Sequence, residues 1–209
     1  MLGKGAGLMS GEMLIGVGIV GLVGAGVLFL HALRVILPRL DFFSLRASGS
    51  RLRIPSDRVR AIFFLLIAVA IPVFAALAAL GSIGLASDPT YVGSVGEIVL
   101  IALLLYPLAI NKFLATAEYL LIDYDNGTVS IRPNGILGFL PFTTKLSLDE
   151  IENYRDGHST VISASRQSGV TSSTAYTLAI TGRFGARDLA FASAAVRDFA
   201  IRALAQRAA

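Results

Sequence analysis

Residues 39–60 read RLDFFSLRASGSRLRIPSDRVR, six arginines against two aspartates, set between two long stretches almost free of charge. On one side Met13–Leu30 runs for eighteen residues without a charge, and on the other Ala61–Ser87 runs for twenty-seven. A hydrocarbon core of about 30 Å is crossed by about twenty apolar residues in a helix, so both runs predict membrane spans. A third, Tyr91–Ile110, is interrupted only by Glu97, which is expected at the interface. The whole chain agrees: 209 residues are 55% hydrophobic with mean hydropathy +0.72, above the roughly 45–50% apolar content of soluble domains. There is no cysteine, which excludes disulfides, thiolate metal sites and cysteine nucleophiles.

Loops kept in the cytoplasm carry the excess Lys and Arg. The basic loop 38–60 is therefore expected inside. Lys4 stands alone before the first span, and Asp88–Gly96 has no cation, so those two segments are expected outside. Parity then returns everything after the third span to the arginine side. The expected protein is a multi-pass inner-membrane chain with a periplasmic N-terminus, a three-span domain over 1–117 and a cytoplasmic domain over 118–209. Arg39, Arg46, Arg51, Arg53, Arg58 and Arg60 become candidate contacts for anionic phospholipid, at about 1 kcal/mol each near a charged surface. The first apolar run exceeds the usual 7–15 residues of a signal peptide core and is read as a retained helix.

That run contains GVGIVG, Gly16–Gly21, which matches a dinucleotide-binding pattern. The pattern requires a strand before it and a soluble βαβ unit around it, and a membrane-length helix supplies neither. Gly18, Gly21, Gly24 and Ala25 instead form a small-residue face of the kind that lets membrane helices approach closely, expected to pack a membrane protein partner or a second copy. Ionisable residues fall at the ends of the spans: His31 and Arg34, Glu97, Lys112. A transport path through this chain alone would need them inside.

From Glu118 the period changes. YLLIDYDNGTVSIRP, residues 119–133, predicts two strands joined at Asn126-Gly127, a pair that favours a tight hairpin turn. Further strands are expected at Phe142–Leu148, Ile151–Arg155, Thr160–Arg166, Ala175–Thr181 and Arg187–Phe191. SAAVRDFAIRALAQRAA then opens at Ser193, a helix N-cap, and carries Val196, Phe199, Ala200, Ala203 and Leu204 at helical spacing. The expected cytoplasmic domain is mostly β, seven antiparallel strands in a barrel or sandwich capped by one C-terminal helix.

The opening hairpin YLLIDYDNGTVSI, the strand pair TTKLSLDEIENY with Leu148-Asp149-Glu150-Ile151 at its turn, and YTLAITGRFGARDLAF leading into the last helix together resemble bacterial pleckstrin-homology-like membrane proteins. The resemblance covers about residues 118–208. It implies a non-catalytic binding module for lipid headgroups or peptides. Phosphoinositide-binding members resemble one another in a basic first hairpin loop, whereas Asp123-Tyr124-Asp125-Asn126-Gly127 here is acidic and repels phosphate. Peptide capture by strand addition fits better. The expected groove has Val161, Ser163 and Ser165 on one side and Val196, Phe199 and Ala203 of the helix on the other.

GILGFLPF, residues 135–142, is apolar where a connection between strands should be polar, so Phe139, Leu140 and Phe142 are expected to meet membrane or partner. A hydrolase triad can be drawn from Asp156, His158 and Ser172 or Ser173, but DGHS reads as a polar turn. No nucleophile elbow, zinc-protease or P-loop motif is present in the sequence, and no catalytic residue, metal or cofactor is expected. From Lys112 onward ten cations face nine anions, too balanced for a nucleic-acid binder. The expected role is a scaffold or accessory subunit of a membrane assembly, with a sensor or regulator that transiently binds a peptide or lipid as the alternative.

Overall fold

The computed structural model describes residues 11–43, 50–84, 89–133, 143–165 and 169–206. Three long helices dominate the first half of the chain: α1 (Gly11–Ile36), α2 (Arg58–Gly84) and α3 (Pro89–Ala117). All three are long and apolar enough to cross a membrane. α1 and α3 extend by nearly two turns beyond the apolar runs, because nothing at Arg34 or Lys112 breaks a helix and long cationic side chains can reach an interface from its last turns.

The chain divides into two compact units, Met1–Pro38 with Phe63–Ile110, and Arg39–Ile62 with Asn111–Ala209. The first unit is helical. Its contacts are made by small side chains: Ala25, Ala75 and Ala102, one from each helix, form a buried cluster. A Cβ added at Gly21 would lie 3.1 Å from Ala79 Cβ, so α1 and α2 meet where glycine removes the obstacle. His31 Nδ1 and the Tyr106 hydroxyl are 2.8 Å apart and link α1 to α3.

The second unit holds two antiparallel sheets. The first has the order β1-β2-β3-β4, with β1 (Arg51–Ile54), β2 (Leu120–Asp123), β3 (Thr128–Ile131) and β4 (Thr144–Ser147). The second has the order β5-β6-β7, with β5 (Ile151–Ser165), β6 (Gly169–Gly182) and β7 (Gly185–Phe191). The helix α4 (Ala194–Ala205) follows, capped by the Ser193 hydroxyl, which accepts from the Val196 N–H at 3.3 Å. Both sheets and α4 share one core, built from Leu52, Ile54, Leu120, Ile122, Leu178, Phe191, Ala200 and Leu204 among others.

Seven strands are present among the described residues, but two differ from those expected. The first strand comes from the arginine loop: Arg51↔Asp123 through Ile54↔Leu120 are paired. RLRI alternates, burying Leu52 and Ile54 while Arg51 and Arg53 stay less covered, and Pro55 ends it by withholding an N–H. Hydrogen-bonded strands cannot be divided by a bilayer, so β1 and β2 lie on one side of any membrane that α2 and α3 cross. The second difference is β5, a single strand where two were expected. Asp156-Gly157-His158 does not turn, because β6 offers a continuous partner rich in β-branched residues, paired from Asn153↔Thr181 to Ser165↔Gly169. The Asn126-Gly127 turn also differs. Four residues separate β2 from β3, and the Asp123 carboxylate organises them by accepting from the Asn126 backbone and side chain at 3.2 and 2.9 Å, with Gly127 at φ 60°.

A fragment limited to residues 118–209 lacks β1. It leaves one edge of β2 open and removes Leu52 and Ile54 from the core, a loss of about 3 kcal/mol or more at 1.5–3 kcal/mol per large buried side chain. Thermal melting followed by circular dichroism should find this fragment unfolded or aggregated. A chain in which residues 50–56 are joined by a short Gly/Ser link to residues 116–209 should melt cooperatively.

Candidate functional site: a carboxylate shared by three arginines

Glu118 sits between the last residue of α3 and the first strand residues of β2, with only 6% of its surface exposed. Three guanidiniums from separate segments converge on it. Arg39 Nε is 2.7 Å from Oε1, Arg53 Nε is 3.4 Å from the same oxygen, and Arg132 Nη2 is 3.6 Å from Oε2. Arg39 lies in the 3-10 segment Leu37–Phe43 after α1, Arg53 in β1, and Arg132 just after β3. The Arg132 backbone N–H donates to the Tyr119 carbonyl at 2.9 Å, which continues the β2–β3 pairing and fixes where that side chain departs.

The electrostatics follow from burial. Arg132 is held below its ordinary value by desolvation, an effect that the Glu118 carboxylate opposes and Arg39 reinforces. A second ion pair flanks the first on the same strands. Arg51 Nε donates to Asp123 Oδ2 at 2.9 Å, and Asp123 is held below its usual carboxylate value chiefly by the Asn126 hydrogen bonds, with Arg51 adding to them. Ser50 Oγ donates to Asp125. Further along, burial raises Tyr119, whose hydroxyl accepts from the Ala190 N–H at 3.0 Å. The Ala192 N–H donates to the Ser56 carbonyl at 2.9 Å and joins the corner where β1 ends to the end of β7.

The six loop arginines therefore separate. Arg39 and Arg53 turn to Glu118, Arg51 to Asp123, and Arg60 lies 3.4 Å from Asp57. Arg58 keeps a buried Nε with no hydrogen-bond partner among the described residues. Arg46 lies outside the described residues, as do Phe139, Leu140 and Phe142 of the apolar connection.

Of the small-residue face on α1, Gly18, Gly21 and Ala25 are buried and Gly24 is half-buried. Gly21 is taken up by Ala79 and Val99 of this chain's own helices, whereas a Cβ at Gly24 would meet nothing within 4 Å. Internal packing thus uses at least part of the face expected to meet a partner.

The expected groove is only partly assembled. Val161, Ser163 and Ser165 belong to β5, opposite Ser173, Thr171 and Gly169 of β6, and their side chains lie outside the described residues. That end of the β5–β6 ribbon runs past β7, whose pairing with β6 stops at Tyr176↔Phe191. Val196 and Phe199 pack against the core, and Ala203 is buried in it. Phe199 and Ala203 do border a cleft of about 340 Å³, but the strand beside it is β1, through Leu52, with Arg202 and Gln206 completing the wall. β1 is an edge strand.

The residues from which a triad can be drawn are spread along the ribbon. His158 pairs opposite Tyr176, while Ser172 and Ser173 pair opposite Ile162 and Val161, three or four residues further on and about 10–13 Å away at strand rise. Among the described residues no group of three or more His, Asp or Glu side chains gathers in a way that would hold a metal. No family model matches the chain, and neither does any curated protein or solved structure.

Sequence reading alone passed over Glu118 and Arg132. The signal that could have found them was a lone carboxylate between an apolar helix and an apolar strand, a position that demands cations. Glu118→Ala should lower stability by about 3–5 kcal/mol, because removing one partner leaves the others buried and unpaired with it; denaturant or thermal unfolding of the purified chain measures this. The depressed Asp123 value gives stability that is present above the ordinary value of 3.8 and lost as pH falls from there through the lower folded value. Asp123→Asn should flatten that acid limb in a pH series of melts.

Proposed function

We propose that this chain is a non-catalytic integral membrane scaffold or accessory subunit, which engages a larger membrane protein assembly through its helices and a pleckstrin-homology-like binding module. The observation that carries the proposal is the origin of β1. A domain whose first strand precedes α2 and whose second follows α3 is built into the membrane segments rather than hung from them by a linker. Such a mount suits permanent presentation of a surface.

The 4+3 strand arrangement with a closing C-terminal helix supports the pleckstrin-homology-like reading. In this reading the helical hairpin α2–α3 occupies the connection between the first two strands. The excess of Arg in the segment 39–60 supports a cytoplasmic location for the domain and a periplasmic N-terminus in a bacterial inner membrane. Large apolar side chains exposed along the helices, such as Val20, Val27, Phe74, Leu77 and Leu104, supply surface for lipid, for a partner or for a second copy.

One observation favours the alternative, a regulator that captures a peptide: the cleft at Leu52, Phe199 and Ala203 adjoins β1, the edge strand of its sheet among the described residues, and peptides are captured by adding a strand at a sheet edge. Purification of the tagged full chain at native expression in mild detergent, with native-gel sizing and mass spectrometry, separates the two. A subunit should migrate in a large complex with partners in constant ratio. Migration alone, under conditions that keep other membrane complexes whole, would refute the subunit reading.

A further inference from the structure

The β5–β6 ribbon continues for seven residue pairs past the last β6–β7 pair, from Ser159↔Ala175 to Ser165↔Gly169. β7 leaves its lane there, and the Ala192 N–H donates to the Ser56 carbonyl at 2.9 Å. A cleft of about 240 Å³, bordered by Ser56, Thr174, Ala175 and Ala192, opens at the point of departure. Among the described residues no strand takes the place of β7, so the N–H and C=O groups of Gly169–Ala175 that point to that side have no ladder partner.

We infer that this open edge of β6, Gly169–Ala175, pairs antiparallel with the same edge of a second copy of the chain. The sequence leaves the edge unguarded. GVTSSTA carries no charge and no proline, and its pairing with β5 runs without a bulge, whereas charge, proline and bulges are the devices by which natural sheets keep their edges apart. The opposite margin of the ribbon shows the contrast. β5 carries Glu152, Arg155 and Asp156, and Arg197 of α4 donates from Nη1 to the Gly157 carbonyl at 2.9 Å, so a charged side chain already claims a backbone acceptor of that strand.

Symmetry and composition select the occupant. A foreign peptide added to a sheet edge is chosen by pockets for its alternate side chains, and the cleft borders only Thr174 and Ala175 of this edge. A charged partner needs opposite charge, which the edge lacks. A second copy needs neither, because identical strands related by a two-fold axis supply each other's complement. A centre at Ser172 sets Val170 opposite Thr174 and Thr171 opposite Ser173, and cross-strand pairs of Thr with Thr or Ser are favourable. The inference goes beyond the scaffold reading and does not depend on it, since a subunit and a regulator can each be dimeric.

The test uses the full chain in membranes and in mild detergent, where single cysteines can be placed freely because the chain has none. Directly opposed Cα atoms of an antiparallel pair lie within disulfide range. Thr171→Cys, Ser172→Cys and Ser173→Cys, made one at a time, should give a disulfide-linked dimer after mild oxidation, with the yield peaking at the residue on the two-fold axis and several-fold above that of Glu152→Cys on β5. Native mass spectrometry should find the wild-type chain dimeric. Ser172→Lys and Ser172→Glu should each weaken dimerisation about fivefold, as expected where like charges oppose one another, and melt as the wild type does; co-expression of the two should restore a mixed dimer. The inference is overturned if the wild-type chain is monomeric, if no cysteine at 171–173 cross-links above the Glu152→Cys level, or if folded Ser172→Lys dimerises as the wild type does, which would assign the dimer to other surfaces. Cross-linking to a different protein in place of a second copy also overturns it and gives the edge to a foreign strand. Should the charged variants fail to fold, the cysteine series decides alone.

Discussion

Pairing between Arg51–Ile54 and Leu120–Asp123 joins two segments separated in the chain by two membrane-length helices. Closing so long a connection costs entropy before any contact repays it, and four residue pairs of backbone hydrogen bonding are a small return. The compensation is side-chain burial. Leu52 and Ile54 enter a core with Leu120, Ile122, Phe191 and Leu204, and the Ser56 N–H donates to the Thr116 carbonyl at 3.0 Å, which brings the start of α2 beside the end of α3. The helical hairpin is thereby a very large loop between neighbouring strands, with its two ends fixed together.

Charge completes what the apolar contacts begin. Arg39, Arg53 and Arg132 reach Glu118 from the exit of α1, from β1 and from the end of β3, so one carboxylate connects the entries and exits of the helices to the sheet. Burial makes this connection costly to break and also limits how much it adds to stability over an apolar alternative. Its effect is on specificity: a register shift of β1 by one residue would turn Arg53 toward the core and Leu52 toward solvent, and Glu118 would lose a partner. Two of the arginines crowded into residues 39–60, Arg39 and Arg53, are in three dimensions part of the cation side of an internal ion cluster.

α1 and α2 were legible because an uncharged run of eighteen residues or more matches the length of a membrane span and exceeds what a buried core helix needs, and α3 because its run of twenty is interrupted only by Glu97. The closing elements were legible too: Ser193 caps α4 as its sequence predicts, and Leu178, Ile180, Leu189 and Phe191 are all buried. β1 was hidden for a physical reason. Four residues with two arginines carry only two alternating apolar positions, and their partner lies beyond two spans, so no local pattern reveals the pairing. β5 was misread because Asp156-Gly157 has turn chemistry, which continuous pairing with β6 overrides. Glu118 is inconspicuous as a boundary residue, although its burial calls for the cations that residues 39–60 supply.

The chain has no cysteine of its own, which makes the β1–β2 pairing directly testable by cross-linking. Directly opposed residues of an antiparallel pair have Cα atoms about 4.5–5.5 Å apart, within the range of a disulfide. Leu52→Cys with Ile122→Cys places thiols at one such pair, while Leu52→Cys with Leu121→Cys sets them on opposite faces of the sheet. After mild oxidation of the full chain in membranes, protease digestion and mass spectrometry should recover the 52–122 cross-linked peptide in high yield and little of the 52–121 product. Equal yields from both pairs, or none from 52–122, would contradict the account.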